Sequence, residues 1–218
     1  MMVYRLRSLI FKIRAWIYRH YTPKIRRYYD KAIARHGDSI SSLGWKSHYS
    51  QFTRFSALFS QWTIEPTDHV LDVGCGFGDL LEYFSDESIH AQYTGIDISA
   101  PMIETARSTH PNGQFRVGDL FHESQPVDYV VASGAFSLHT RDQYYYLDAA
   151  IAKMLKLAKK GVSFNLLSHH APTKDRADDL FFYYDPSKVA KIVARHRAKW
   201  VMLHHYLPND FTVVLYKA

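Results

Sequence analysis

The segment Val70-Leu71-Asp72-Val73-Gly74-Cys75-Gly76-Phe77-Gly78-Asp79-Leu80 constrains this 218-residue chain more than any other. Its apolar start reads as a buried strand, and the glycines at alternate positions read as a tight turn that opens a helix. Glycine lets a backbone approach a ligand where a Cβ would collide. The helix N-terminus behind the turn favours electron-rich groups. The spacing is G-x-G-x-G, not the G-x-G-x-x-G of dinucleotide binders, and an acid, Asp72, precedes it. That carboxylate would repel a pyrophosphate, but not a ligand carrying an ammonium and a sulfonium. Taken alone, the segment also fits a merely structural strand–helix turn.

Around it, short apolar runs alternate with helical patterns. Residues 69–73, 92–97, 114–117, 127–132 and 161–167 are predicted strands; 78–84, 101–108 and 141–159 are predicted helices. That alternation implies a parallel sheet covered on both faces. The end differs, because residues 200–206, the turn Leu207-Pro208-Asn209-Asp210 and residues 211–216 read as an antiparallel hairpin. Asp185-Pro186 supplies an N-cap and first-turn pair for a helix over 187–195. Upstream, residues 45–62 read as a helix with Phe52, Phe55, Leu58 and Phe59 as its buried stripe. The expected organisation is an extension over 1–40, a helical cap over 41–66 that contributes to the cofactor site, and a core over 67–218.

Three further elements follow the glycine turn in order. Tyr93-Thr94-Gly95-Ile96-Asp97-Ile98-Ser99 ends the second strand in an acid suited to chelating two ribose hydroxyls. Gly118-Asp119-Leu120 follows the third strand, where a carboxylate can accept from an adenine amino group. Val130-Val131-Ala132-Ser133-Gly134-Ala135-Phe136 ends the fourth strand at the mouth of the crevice where open α/β sheets bind ligands. Together with Asp72 these favour S-adenosylmethionine over NAD.

The order and spacing resemble the class I S-adenosylmethionine-dependent methyltransferase family over roughly residues 41–218. The resemblance implies an α/β fold, a doubly wound seven-stranded and mostly parallel sheet with an antiparallel C-terminal hairpin, here preceded by a helical N-terminal extension. It implies that Gly74, Cys75 and Gly76 line the methionine portion of the cofactor, with Asp72 near its amino group. It further implies that Asp97 binds the ribose, Ile98 packs on the adenine, and Asp119 with Leu120 recognises the adenine edge. Ser133 and Gly134 would sit beside the transferable methyl, and S-adenosylhomocysteine would be the product. Within Gln51-Phe52-Thr53-Arg54-Phe55, Arg54 either clamps the cofactor carboxylate or is an ordinary solvated helix residue.

Methyl transfer needs a nucleophile held in line, water excluded and, for some acceptors, a proton removed. The candidate base is His139, in Phe136-Ser137-Leu138-His139, because histidine titrates near neutrality. His169 and His170 come next. Tyr144-Tyr145-Tyr146 and Phe181-Phe182-Tyr183-Tyr184 are either acceptor-pocket walls or core packing with exposed tyrosines. Cys75, the sole cysteine, reads as a small residue in a tight turn, and it leaves no internal disulfide. A reducing, cytoplasmic compartment is therefore expected. The sequence contains no zinc-ligand pattern, and no metal is expected.

The expected acceptor is a small molecule with an N or O nucleophile, since short loops offer no target-recognition domain. Ala135-Phe136-Ser137-Leu138 lacks the Asn/Asp-Pro-Pro-Tyr/Phe pattern of DNA and amide N-methylating members, which argues against nucleic acid. Transfer of another group from the same cofactor class, and a non-catalytic cofactor-binding subunit, stay open as alternatives.

Charge is spread unevenly. Ten of the 27 Lys and Arg fall in residues 1–35, against the single acid Asp30. Within 3–21, Leu6, Leu9, Ile10, Ile13, Trp16, Ile17 and Tyr21 recur at helical steps. This basic arm, residues 1–36, has three readings: packing on the body as a lid or against a partner subunit, peripheral contact with an anionic membrane surface, or nucleic-acid binding.

Overall fold

The computed structural model describes residues 22–45, 47–173 and 180–217. The amphipathic stripe of residues 3–21 lies outside these. Seven strands form one sheet in the order β3-β2-β1-β4-β5-β7-β6. They are β1 (His69–Val73), β2 (Gln92–Asp97), β3 (Gln114–Val117), β4 (Val127–Ala132), β5 (Ala158–Leu167), β6 (Lys199–Leu203) and β7 (Asp210–Tyr216). β1 to β5 pair in parallel, and β7 runs antiparallel between β5 and β6. The expected doubly wound sheet with its C-terminal hairpin is therefore present.

Helix α1 covers residues 22–36, followed by α2 (His48–Phe59), α3 (Asp79–Asp86), α4 (Ala100–Thr109), α5 (Gln143–Leu157) and α6 (Pro186–Ala194). Helices α2, α3 and α4 cover one face through Phe55, Leu58, Leu80, Phe84, Ile103 and Ala106, packed on Val70, Tyr93, Phe115 and Val131. The other face carries α5 and α6, with Leu147, Ile151, Met154, Val189 and Val193 on Leu71, Val130, Val162, Phe164 and Leu166. Each large aliphatic side chain so buried stabilises the fold by about 1.5–3 kcal/mol. Two-sided burial explains why the central strands read as unbroken apolar runs.

Element boundaries shift where tertiary contacts outweigh local propensity. The helix predicted over 141–159 ends at Leu157, and β5 starts at the next residue, with Ala158 paired to Val127. Lys159, the last residue of the predicted helix, lies in the strand instead, 3.7 Å from Asp128, and its neighbour Lys160 binds Asp68. The helix predicted over 45–62 is shorter because the Ser47 hydroxyl accepts from the Ser50 N–H and starts α2 there. Trp45 is thereby left outside the helix. The predicted cap Asp185 is as expected, accepting from the Ser187 and Lys188 amides.

The strand order places β1 between β2 and β4, so the chain leaves β1 toward one side of the sheet and later returns on the other. The carboxyl ends of β1, β2 and β4 open there into a crevice, the position at which such sheets bind ligands.

Candidate active site

A cavity of about 320 Å³, within the usual range for ligand pockets, fills this crevice. Its floor is the turn after β1. Gly74 holds φ at +75°, and a Cβ there would come within 2.8 Å of the Ala135 Cβ, so only glycine fits between the ends of β1 and β4. The turn is also held from β2. Asp97 accepts from the Gly76 amide at 3.1 Å and from the Ser99 amide at 2.9 Å. Burial pushes Asp97 up to about 6, against the opposing pull of the Ser99, Gly76 and Ile98 amides.

Asp72, 3% exposed, accepts from the Tyr93 hydroxyl at 2.9 Å. Burial raises it to about 7, opposed by that hydrogen bond and reinforced by Asp97 and Asp79. Both acids line the cavity, together with Gly74, Cys75, Gly76, Ile98, Leu120, Ser133 and Gly134. The Cys75 thiol is buried and its pKa is driven well up by desolvation and the nearby acids, so it is no nucleophile.

Of the other predicted residues, Asp119 caps the short 3₁₀ turn Leu120–His122 through the Phe121 amide, and its second oxygen accepts from the Thr22 hydroxyl at 3.1 Å. Arg54 does line the cavity, but it is not solvated. Its Nε donates to Asp210 at 2.9 Å, its Nη1 donates to the Ser50 carbonyl, and its guanidinium stacks on Trp45. Nη2 is the guanidinium nitrogen that makes no hydrogen bond among the described residues. Burial lifts Asp210 to about 6 even against Arg54.

His139 is not brought to the site. It is exposed and outside the cavity lining, its ring tilted against Phe182. The strand end that carries it turns outward, where Leu138 bridges to Phe181 and the His139 amide donates to the Leu180 carbonyl. His169 and His170 likewise lie outside the lining, ring against ring. Among the described residues, no cluster suited to a metal ion occurs.

The structure adds residues that motif reading missed. Gln51, one turn before Arg54 on α2, donates its amide to Asp79 at 2.6 Å. Its carbonyl oxygen Oε1 is buried in the cavity wall with no partner among the described residues. Asn165 on β5 accepts from the Gly134 amide at 2.9 Å and donates to the Ser133 hydroxyl at 3.2 Å, fixing the end of β4. That polar residue inside an apolar strand was the available signal. Trp45 closes over Gly134 so tightly that a Cβ there would lie 2.7 Å from the indole.

The aromatic runs divide their work. Tyr146, Phe181 and Tyr183 line the cavity beside Phe136 and Trp45. Tyr184 is wholly buried and donates to the Phe136 carbonyl, while Tyr145 is 65% exposed. Helix α1 adds a further wall. Thr22, Ile25 and Tyr29 line the cavity, and Asp30 accepts from the Ser99 hydroxyl at 2.6 Å. Of the three readings of the basic arm, packing on the body as a lid describes residues 22–36.

Comparison with known proteins agrees with this geometry. The methyltransferase domain family matches residues 70–161. A Mycobacterium tuberculosis protein described as a methyltransferase is 30% identical over 155 residues, 67% of this chain and 92% of that protein. The chain belongs to the class I S-adenosylmethionine-dependent methyltransferases. An Escherichia coli trans-aconitate 2-methyltransferase is 32% identical over 100 residues, 45% of this chain and 39% of that protein. Among solved structures, magnesium protoporphyrin IX methyltransferase from Synechocystis, with bound S-adenosylhomocysteine, shares the fold. It superposes with a TM-score of 0.64 at 17% identity over 90% of this chain and 99% of that one.

Proposed function

We propose that this methyltransferase transfers a methyl group from S-adenosylmethionine to a small, flat, largely apolar acceptor. The observation that carries the reading is a cavity whose lining combines two unlike sets of residues. The glycine turn, Asp72 and Asp97 make up one set; the rings of Trp45, Phe136, Tyr146, Phe181 and Tyr183 make up the other.

The residues fit the cofactor. Gln51 Oε1 is a buried acceptor lacking a donor, and leaving such a group unpaired costs about 1–3 kcal/mol. An ammonium group supplies that donor. Asp72 and Gln51 would hold the amino end, Arg54 Nη2 the carboxylate, Asp97 the ribose, and Ile98 with Leu120 the adenine. When bound, the cofactor supplies a carbon already activated by its sulfonium.

The protein's task is then positioning and exclusion of water. Asn165 fixes the Ser133-Gly134 backbone, and Trp45 covers it, so the acceptor is confined to the aromatic set. Burial raises the carboxyls of Asp72 and Asp97, which lowers the cost of keeping them in the cavity until a cationic ligand draws out their protons. The flat aromatic walls select planar apolar surface by stacking. In this arrangement His139 would act only on a group reaching the cavity mouth.

The test is incubation with methyl-labelled S-adenosylmethionine and separate small-molecule, protein and nucleic-acid fractions of a cell extract. Label is expected in a small aromatic or apolar compound. Label confined to protein or nucleic acid would overturn the acceptor assignment.

A further inference from the structure

Helix α1 has two faces with different partners. Thr22, Ile25 and Tyr29 point into the cavity, and Asp30 is bonded to Ser99. Successive helical residues turn by roughly 100°, which places Lys24, Arg27, Lys31 and Arg35 in one stripe opposite Thr22, Ile25 and Tyr29. All four are exposed, and none is paired with a carboxylate among the described residues. Arg26 is exposed at the flank of the stripe. Asp30, the one acid of the helix, is turned toward Ser99. The lid therefore shows solvent an uncompensated row of cations.

We propose that this outer face of α1 is a docking surface for an anionic lipid membrane, occupied while the inner face stays seated on the cofactor cavity. One observation selects lipid over nucleic acid. The chain leading into α1 combines bases with Leu6, Leu9, Ile10, Ile13, Trp16 and Ile17 at helical spacing, the composition of an interfacial segment. A nucleic-acid contact gains nothing from an aliphatic stripe. Beyond this, no helix among the described residues is long and apolar enough to cross a membrane, so attachment would be peripheral and governed by charge. The docking does not depend on the acceptor.

The experiment measures co-sedimentation of the full chain with vesicles of phosphatidylcholine alone or with a third phosphatidylglycerol. Two quadruple variants are compared: K24Q/R27Q/K31Q/R35Q, and K156Q/K188Q/K191Q/K199Q, which removes the same charge from exposed positions elsewhere. Partition onto the anionic vesicles is expected, with a loss of roughly tenfold or more in the α1 variant. Little change is expected in the body variant, and weakening by 0.5 M salt. Binding of S-adenosylhomocysteine, measured by calorimetry on the same α1 variant, should match the parent and so exclude a misfolded lid; the double variant R27Q/K31Q serves if the quadruple one does not fold. No partition, equal loss in both quadruple variants, or retention by duplex DNA in place of vesicles would overturn the proposal. Vesicle binding without any binding of S-adenosylhomocysteine would leave the docking surface standing and remove the function proposed above.

Discussion

Asp97 joins the end of β2 to the turn after β1 through the Gly76 and Ser99 amides. It therefore holds the shape of the turn, and in the function proposed above it is also the side chain that binds the ribose. Replacing it, Asp97→Ala, should weaken S-adenosylhomocysteine roughly 10- to 100-fold, as expected for hydrogen bonds to a charged group. Asp97→Asn should lose less, since it keeps one acceptor oxygen; calorimetric titration checks both. Gln51→Leu removes the buried unpartnered oxygen. Because it also removes the bond to Asp79, it is compared with Asp79→Ala: the cofactor should weaken more in the Gln51 variant, a difference that loss of that bond alone would not produce. Asp72, Gly74, Gly76, Asp97 and Leu120 were legible because they follow strand ends in a fixed order. Gln51 and Asn165 were not, because their roles depend on which strand or helix lies alongside, and one sequence does not show adjacency. Arg54 was legible as a candidate but its bond to Asp210, 156 positions away, was not. His139 looked reactive only because histidine titrates near neutrality; the outward turn after β4 was invisible.

Among the elements, the parallel sheet and its closing antiparallel hairpin followed from the alternation of patterns, whereas boundaries yielded to long-range contacts. The junction of α5 with β5 is the clearest instance, because Lys159 reads as helical until Asp128 is brought alongside from β4. A cap belongs to this scale too. Asp185→Ala removes the acceptor for two amides at the start of α6 and should cost about 1 kcal/mol. That corresponds to a fall of roughly 2–4 °C in melting temperature for a chain of this size. The affinity for S-adenosylhomocysteine should not change, because α6 lies outside the cavity lining. The arm was legible as basic and amphipathic, with a lid among its readings, but the contacts that seat it were not. Its bond from Ser99 to Asp30 predicts that Asp30→Ala speeds dissociation of S-adenosylhomocysteine roughly threefold or more in stopped-flow experiments. An unchanged rate would mean that α1 does not gate the cavity.

Two raised carboxyls face the cavity, and a third, Asp210, lies behind Arg54. Asp97 at about 6 and Asp72 at about 7 both stand above the ordinary carboxylate range. In the bare protein their contribution to stability is fully present below that ordinary range and is lost as pH rises through 6 to 7. An ammonium and ribose hydroxyls favour the ionised forms, so the sign reverses for binding. Cofactor affinity should fall by up to about tenfold per pH unit per group below pH 6, and binding should release protons near pH 6–7. Titrations in buffers of different ionisation heat measure that release directly. Whether this cavity holds S-adenosylmethionine is decided by calorimetric titration with S-adenosylhomocysteine, beside NADH, on protein unfolded and refolded to strip any retained ligand. Saturable one-site binding of S-adenosylhomocysteine and none of NADH is the expected result. Binding of NADH, or no saturable heat with S-adenosylhomocysteine, would contradict it.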